Sequence, residues 1–420
     1  MKSKSDSKPL KICLLTYRGN PNCGGQGVYI KHLSKALSDL GHQVDVISGP
    51  PYPHLDPKVR LHKLPSLDLY NPEKPFRLKK VSSLANPLNM YEFVNMCFGR
   101  FPEPYTFGVR AYNYLQKNKM DFDIVHDNQC LAYGIGKIAQ NVVPTIATIH
   151  HPITVDRKEE FKSATSAKNI RKIKRWYSFI KMQKEVARTL SHIVTVSECS
   201  KVDIAEEFSI DPSKFYVVPN GINNEFFYPV DNKSRPENNI IVTNSADTPL
   251  KGLRYLLEAV SQIRKKQPVK LTVIGEPKKN GIIKKVVADL GVGDIVHFTG
   301  RIENEEFAGY YSNATIAVVP SLYEGFGLPA AEAMACGVPL ISTSGGALPE
   351  VVGDAGILVP PADSASLARE IMLLLNNPAQ RKKMSKAGIE RVNSVFNWSI
   401  AAKQTVKVYR KAIDGYRRSA

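Results

Sequence analysis

Two carboxylates, Glu324 and Glu332, bracket the run Gly325-Phe326-Gly327-Leu328. A carboxylate pair can serve acid–base or glycosyl chemistry. A loop with two glycines that feeds a helix offers something else. Its unpaired N–H groups and the positive end of the helix dipole attract an anion, and the glycines let that anion come close to the backbone. A phosphate is the expected guest. The plainer reading is that Glu332 only complements the dipole, worth about 0.3–1 kcal/mol, and that Glu324 faces solvent. A second candidate is the doublet His150-His151, which follows the apolar run from Pro144 to Ile149; a histidine at the carboxyl end of a parallel strand sits where α/β sheets hold ligands. A third is Gly24-Gly25, in a glycine-rich turn between the apolar run Lys11 to Tyr17 and the helical pattern Tyr29 to Leu40. That turn does not fit Gly-x-Gly-x-x-Gly and by itself reads as a tight turn.

The elements that must position the first group are legible around it. From Ala314 to Ser342 an apolar run of strand length leads into the loop, a helix-forming segment follows, and a second apolar run closes the stretch. Pro329 suits a first helical position and Gly337 the position just past the helix end. The spacing therefore predicts strand, loop, helix and strand.

The Glu-x7-Glu spacing within Ser321 to Pro339, followed by Gly345-Gly346 and Pro349-Glu350-Val351-Val352, closely resembles the signature of the family-four retaining glycosyltransferases of the GT-B fold. The match is specific from about Lys251 to Pro361 and diffuse elsewhere. The resemblance implies that the helix N-terminus (Gly325, Phe326, Gly327, Leu328) holds the diphosphate of a nucleotide-sugar donor. It also implies that Glu332 hydrogen-bonds the ribose and that Glu324 lies beside the donor sugar. It assigns Lys251, of Lys251-Gly252, to the diphosphate, and Gly24 and Gly25 to the diphosphate and sugar across a cleft. It places His150, whose register fits better than that of His151, near sugar and acceptor, and Arg301-Ile302 by the nucleobase. One position departs from the pattern. The family has an Arg five residues before the Lys, and Ala246 stands there; Arg254, Arg301, or the dipole with Lys251 alone are the alternatives.

Length and composition frame these readings. At 420 residues the chain exceeds one ordinary core, so two domains are expected. No apolar run approaches the roughly 18 residues of a membrane span, and the polar, basic start lacks a signal-peptide core, so the expected location is the cytoplasm. Six scattered cysteines without Cys-x-x-Cys argue against a zinc site or a disulfide framework. The net charge is +18, with a surplus of 12 in residues 1–219 and 6 in the remainder. Asp121-Phe122-Asp123 has the form of an Asp-x-Asp metal motif, but it precedes the apolar Ile124-Val125 and reads as the acidic lead of a strand.

Apolar runs alternate with helical patterns along both halves, which implies parallel sheets covered on both faces. Gly134-Ile135-Gly136 falls inside a helical pattern and reads as packing. The expected class is α/β, with two facing Rossmann-like domains. Residues 1–219 form the acceptor-side domain, 220–239 a hinge and linker, 240–395 the donor domain, and 396–420 a helix that the resemblance sends back to the first domain.

The function that follows is retaining transfer of a sugar from a UDP-sugar or GDP-mannose to a glycan or lipid-linked acceptor. No metal or cofactor is expected, since the donor is a substrate and the cradle with Lys251 supplies the positive charge. A glycoside hydrolase would use paired carboxylates without a phosphate cradle. A nucleic-acid-binding protein would need basic-aromatic motifs that are absent, so no nucleic-acid partner is expected. The basic excess has a further reading. Arg157 to Arg188 holds eleven Lys and Arg against three acids, and 74–80 adds a second cluster. Both would suit docking on the anionic inner face of a membrane, although Trp176 to Leu190 reads as helical and, at helical spacing, Ile170, Ile173, Trp176, Tyr177 and Ile180 share one face while Phe179, Met182 and Val186 form another opposite it.

Overall fold

Apolar runs bounded by Gly, Pro, Asn and Asp become strands buried on both sides, and the amphipathic patterns between them become covering helices. The computed structural model describes residues 8–20, 25–71, 81–162, 164, 166–230, 235–279 and 281–419. Gly24, the basic cluster 74–80 and part of the polar linker after Val230 lie outside the described residues. Contacts divide the chain into two units. One comprises the residues up to Val196, Ser200–Val218 and those from Trp398 on; the other comprises Ser197–Cys199 and Pro219–Asn397.

The first unit begins β1 (Lys11–Thr16), α1 (Gly25–Asp39), β2 (Gln43–Ser48), β3 (Arg60–Lys63), α2 (Pro87–Cys97) and α3 (Glu103–Asn118). It continues β4 (Ile124–Asn128), α4 (Tyr133–Asn141), β5 (Thr145–Thr148), α5 (Thr154–Lys162), α6 (Ala167–Trp176) and α7 (Ile180–Thr189). The strands β6 (Ile193–Thr195) and β7 (Phe215–Val217) flank α8 (Glu198–Phe208). Its sheet is parallel in the order β3-β2-β1-β4-β5-β6-β7, a doubly wound sheet whose strand order reverses between β1 and β4. The acidic pair before β4 is committed to structure: Asp121 pairs with Lys11 Nζ at 2.7 Å, and Asp123 accepts the Lys11 backbone N–H at 2.8 Å. Gly134 is packing, because a Cβ there would meet the Gly108 carbonyl oxygen of α3 at 2.0 Å.

The second unit repeats the plan with β8 (Asn239–Thr243), α9 (Leu253–Ile263), β9 (Lys270–Ile274), α10 (Ile282–Asp289), β10 (Val296–Phe298) and α11 (Phe307–Ser312). There follow β11 (Ile316–Val319), α12 (Leu328–Ala335), β12 (Leu340–Thr343), α13 (Leu348–Val352), β13 (Ile357–Val359), α14 (Ser364–Leu375) and α15 (Pro378–Val395). The sheet order is β10-β9-β8-β11-β12-β13, all parallel, with its switch between β8 and β11. Leu256, Leu257, Val260 and Ile263 of α9 pack on Leu271, Ile316 and Ile341 in one core. The last helix, α16 (Trp398–Ser419), lays Ala402, Val408, Tyr409 and Ile413 into the core formed by α1 and β1 of the first unit.

Two local expectations need correction. Leu328, not Pro329, opens α12; Gly327 caps it with φ +103, a left-handed value costly to any side chain, so Pro329 sits one position in. Trp176 to Leu190 is not one helix, because α6 ends at Trp176 and a 3₁₀ turn, Tyr177–Phe179, separates it from α7. Tertiary contacts make that break: Trp176 stacks on Phe101 at 5.1 Å, while Tyr177 is buried with its hydroxyl on Glu160 at 2.9 Å.

Candidate active site

In doubly wound sheets ligands bind at the carboxyl edge, where the strand order reverses. In the second unit that point lies between β8, which leads to Lys251, and β11, which leads to Glu324. Lys251 Nζ stands 2.7 Å from Oε1 of Glu324, and Ser321 donates to the same oxygen at 2.8 Å. The backbones are tied as well. Leu322 N–H donates to the Leu250 carbonyl at 2.7 Å, and Asn244 Nδ2 donates to the Lys251 carbonyl at 2.8 Å. Asn244 Oδ1 is buried and has no partner among the described residues.

The glycine pair after β12 supports the loop from beneath. Gly346 has φ +63, and a Cβ there would stand 2.3 Å from the Glu324 carbonyl oxygen, which accepts the Ala347 N–H at 2.8 Å. Phe326 is buried edge-on to Phe396 at 5.5 Å, which anchors the loop where it turns into α12. The loop residues Gly325 to Leu328 are thus delivered to the N-terminus of α12 with their N–H groups ahead of the first turn.

Glu332 lies one turn into α12. Burial pushes its carboxyl up to about 7; the Lys251 charge pulls against this and the Glu324 charge adds to it. No described residue hydrogen-bonds its carboxyl oxygens. Arg301 and Ile302 follow β10, two strands from β8, and Arg301 is exposed and unpaired among the described residues. Arg254 pairs with Glu258 at 2.9 Å on the exposed face of α9. Ala246 is buried in the core, with φ +29.

In the first unit the corresponding edge holds His150. Its backbone N–H donates to Gln129 Oε1 at 2.8 Å, and its Nε2 lies 2.8 Å from Asn128 Oδ1. Asn128 Nδ2 donates to the Gln26 carbonyl in α1, so Oδ1 is left to accept from Nε2–H, and Nδ1 keeps the lone pair. Burial, reinforced by the neighbouring His151, holds the imidazole down at about 3, and it is neutral at ordinary pH. Tyr29 packs edge-on at 4.7 Å. Gly25 opens α1 at this edge, while Gly24 lies outside the described residues. His151 turns to Asp156 instead, at 2.8 Å.

Sequence reasoning brought Lys251, Glu324, Glu332 and the loop to one place, and left Arg301 and Ile302 at the far edge of the same sheet. It missed Ser321, Asn128 and Gln129. Asn128 ends β4, Gln129 follows it, and Ser321 lies two residues past β11, so a place at the carboxyl end of a strand was the available signal.

Residues 23–226 match the family profile described as Glycosyltransferase Family 4, and residues 225–391 the one described as Glycosyl transferases group 1. The chain is 45% identical to an MMP alpha-(1->4)-mannosyltransferase of Mycolicibacterium hassiacum, over 96% of this chain and 98% of the relative. It is 27% identical to a D-inositol 3-phosphate glycosyltransferase of Streptomyces bingchenggensis, over 98% of this chain and 91% of the relative. Sucrose-phosphate synthase from Thermosynechococcus elongatus has a similar structure, with a TM-score of 0.74 at 25% identity, covering 97% of this chain and 100% of that one.

Proposed function

This chain belongs to the family-four glycosyltransferases, with the GT-B fold, and from that premise we propose that it transfers mannose from GDP-mannose to a glycan in α-(1→4) linkage with retention of configuration. Sugar and linkage are those in the name of the relative that is 45% identical over nearly the whole chain. Mannose is activated as its GDP derivative, in which it is α-linked, so an α product requires retention.

The observation that carries the reading is the Lys251–Glu324 pair beside the loop that opens α12. When the bond between C1 and the phosphate oxygen breaks, its electron pair stays on the nucleoside diphosphate, and the growing charge needs preorganised donors. Lys251 has three N–H donors and uses one on Glu324, so Glu324 can hold the ammonium in place while it serves the phosphate. The first N–H groups of α12 and its dipole add to this. Glu324 lies by the sugar, Glu332 accepts from the ribose hydroxyls, and Arg301-Ile302 borders the base. His150 contributes hydrogen bonds and not charge. Lys251 and the helix supply the positive charge, so no metal is required.

The acceptor is a glycan at or near an anionic membrane surface, and the enzyme works from the cytoplasm. This part rests on α6, where Lys168, Arg171, Lys172, Lys174 and Arg175 are exposed. No helix of the described residues is long and apolar enough to cross a membrane.

Thermal-shift titration with GDP, UDP, ADP and GDP-mannose tests the donor, and NMR of the product tests the anomer. Stabilisation by GDP and an α-linked product are expected. Preference for UDP overturns the nucleotide, and a β-linked product overturns retention.

A further inference from the structure

On the face of the first unit covered by α3, α4 and α7 there is an open groove of about 510 Å³, within the roughly 300–1,000 Å³ of small-molecule sites. Its walls carry Tyr105 and Tyr112 from α3, Tyr133 and Gln140 from α4, and Val186 and Thr189 from α7. Part of the floor is glycine, where Gly134 and Gly136 bring backbone to the surface of the groove. Tyr133 is 43% exposed, its ring held by a hydroxyl that donates to Glu185 at 2.5 Å. Tyr105 leans on Tyr91 at 5.1 Å, and Lys137 lies over the ring of Tyr112 at 5.9 Å.

Three properties narrow the occupant. The only ionised groups on the walls are Lys137 and Glu185, one of each sign, so the lining has no preference for a charged ligand. Tyrosine rings with amide and hydroxyl groups between them match a ligand with apolar C–H faces and many hydroxyls, each able to accept and donate. The third property is direction. The N-termini of α3 and α4 lie at the carboxyl edge of the sheet, because both helices run antiparallel to β4, and Tyr105 and Tyr133 stand at those ends. Only the turn 129–132 separates Tyr133 from Asn128, the partner of His150. The groove therefore starts at the edge that holds His150 and runs away from it towards Gln140 and Thr189.

We propose that this groove binds the distal part of a neutral oligosaccharide whose reacting end is at the His150 edge, so that it selects for longer glycan acceptors. The proposal rests on the mannosyl-transfer reading for the identity of the glycan. Tyr133 is a binding residue remote from the reacting atoms and has no part in bond breaking.

The test uses α-(1→4)-linked mannobiose and a longer oligosaccharide of the same linkage, first without donor. Calorimetry should show that the longer glycan binds wild type, and that Tyr133→Ala weakens it about tenfold, the loss of one ring contact. Tyr133→Phe, which keeps the ring, should stay close to wild type. Gln140→Ala, at the far end of the groove, gives an independent readout should the Tyr133→Ala melting curve show misfolding. With GDP-mannose, Tyr133→Ala should lower kcat/KM for the longer acceptor through KM and leave mannobiose unchanged. No donor-free binding of the longer glycan, or equal affinities in wild type, Tyr133→Ala and Gln140→Ala, overturns the proposal. Donor-free binding that responds to these variants, with no transfer from GDP-mannose to any acceptor, keeps the groove and overturns the mannosyl reading.

Discussion

Glu324 and Glu332 are held differently, and their variants should differ accordingly. Glu324 is fixed by Lys251 and Ser321, whereas Glu332 has no protein partner among the described residues. Glu332→Ala should weaken donor binding, and Glu324→Gln should lower turnover with donor still bound, as steady-state kinetics and donor titration will separate. Full activity in both would sink the assignment. Lys251→Ala should lose about 1.5–3 kcal/mol of donor and transition-state binding, and transfer by wild type should persist in EDTA. Abolition by chelation and rescue by manganese would contradict the role given to Lys251.

The carboxyl of Glu332 also sets a pH dependence. Its folded value of about 7 lies above the ordinary 4.5, so the folded protein holds this proton more tightly than the unfolded chain does. The group's contribution to stability is full below 4.5, falls as pH rises to about 7, and is level beyond. Ribose hydroxyls favour the ionised form, so donor affinity should rise as pH rises through about 7, with proton release measurable by calorimetry in buffers of different ionisation enthalpy. Glu332→Gln should remove both slopes.

At the scale of elements, the loop from Glu324 to Leu328 depends on the turn after β12. Gly346→Ala places a Cβ against the Glu324 carbonyl at positive φ. About 1–3 kcal/mol of strain should appear in denaturant melts, with loss of donor binding as Glu324 shifts. The separation of α6 from α7 bears on the proposed membrane contact. As a single helix the segment mixes its faces; as its own helix, α6 sets Ile170, Ile173 and Trp176 three residues apart, with cations around them. Co-sedimentation should occur with anionic vesicles, fail with neutral ones, and weaken in high salt, each Lys or Arg near the surface contributing ~1 kcal/mol. Protein left in the supernatant with anionic vesicles at low salt would remove the membrane from the reading.

At the scale of the whole molecule, the parallel sheets were legible because strands buried on both faces must be continuous apolar runs, such as Ile12 to Leu15 and Ile316 to Val319. The break at Trp176 was not, because apolar spacing continues through it and only contacts distant in sequence, with Phe101 and Glu160, interrupt the helix. The meeting of Lys251 and Glu324 came from a family signature and not from periodicity, since residues far apart in sequence leave no local mark of contact. Asn128 and Gln129 are single amides at a strand end, a place that marks the ligand-binding edge but gives neither residue a role until the sheet sets both beside His150.

The return of α16 to the core of α1 makes the second unit an insertion within the chain of the first. On a ribosome, the segment from Pro219 to Asn397 is synthesised before Tyr409 and Ile413 exist to close the earlier core. The unit begun second should therefore be finished first. Until residues 398–419 dock, the faces of α1 and β1 that they cover stay open to chaperones and to other nascent chains.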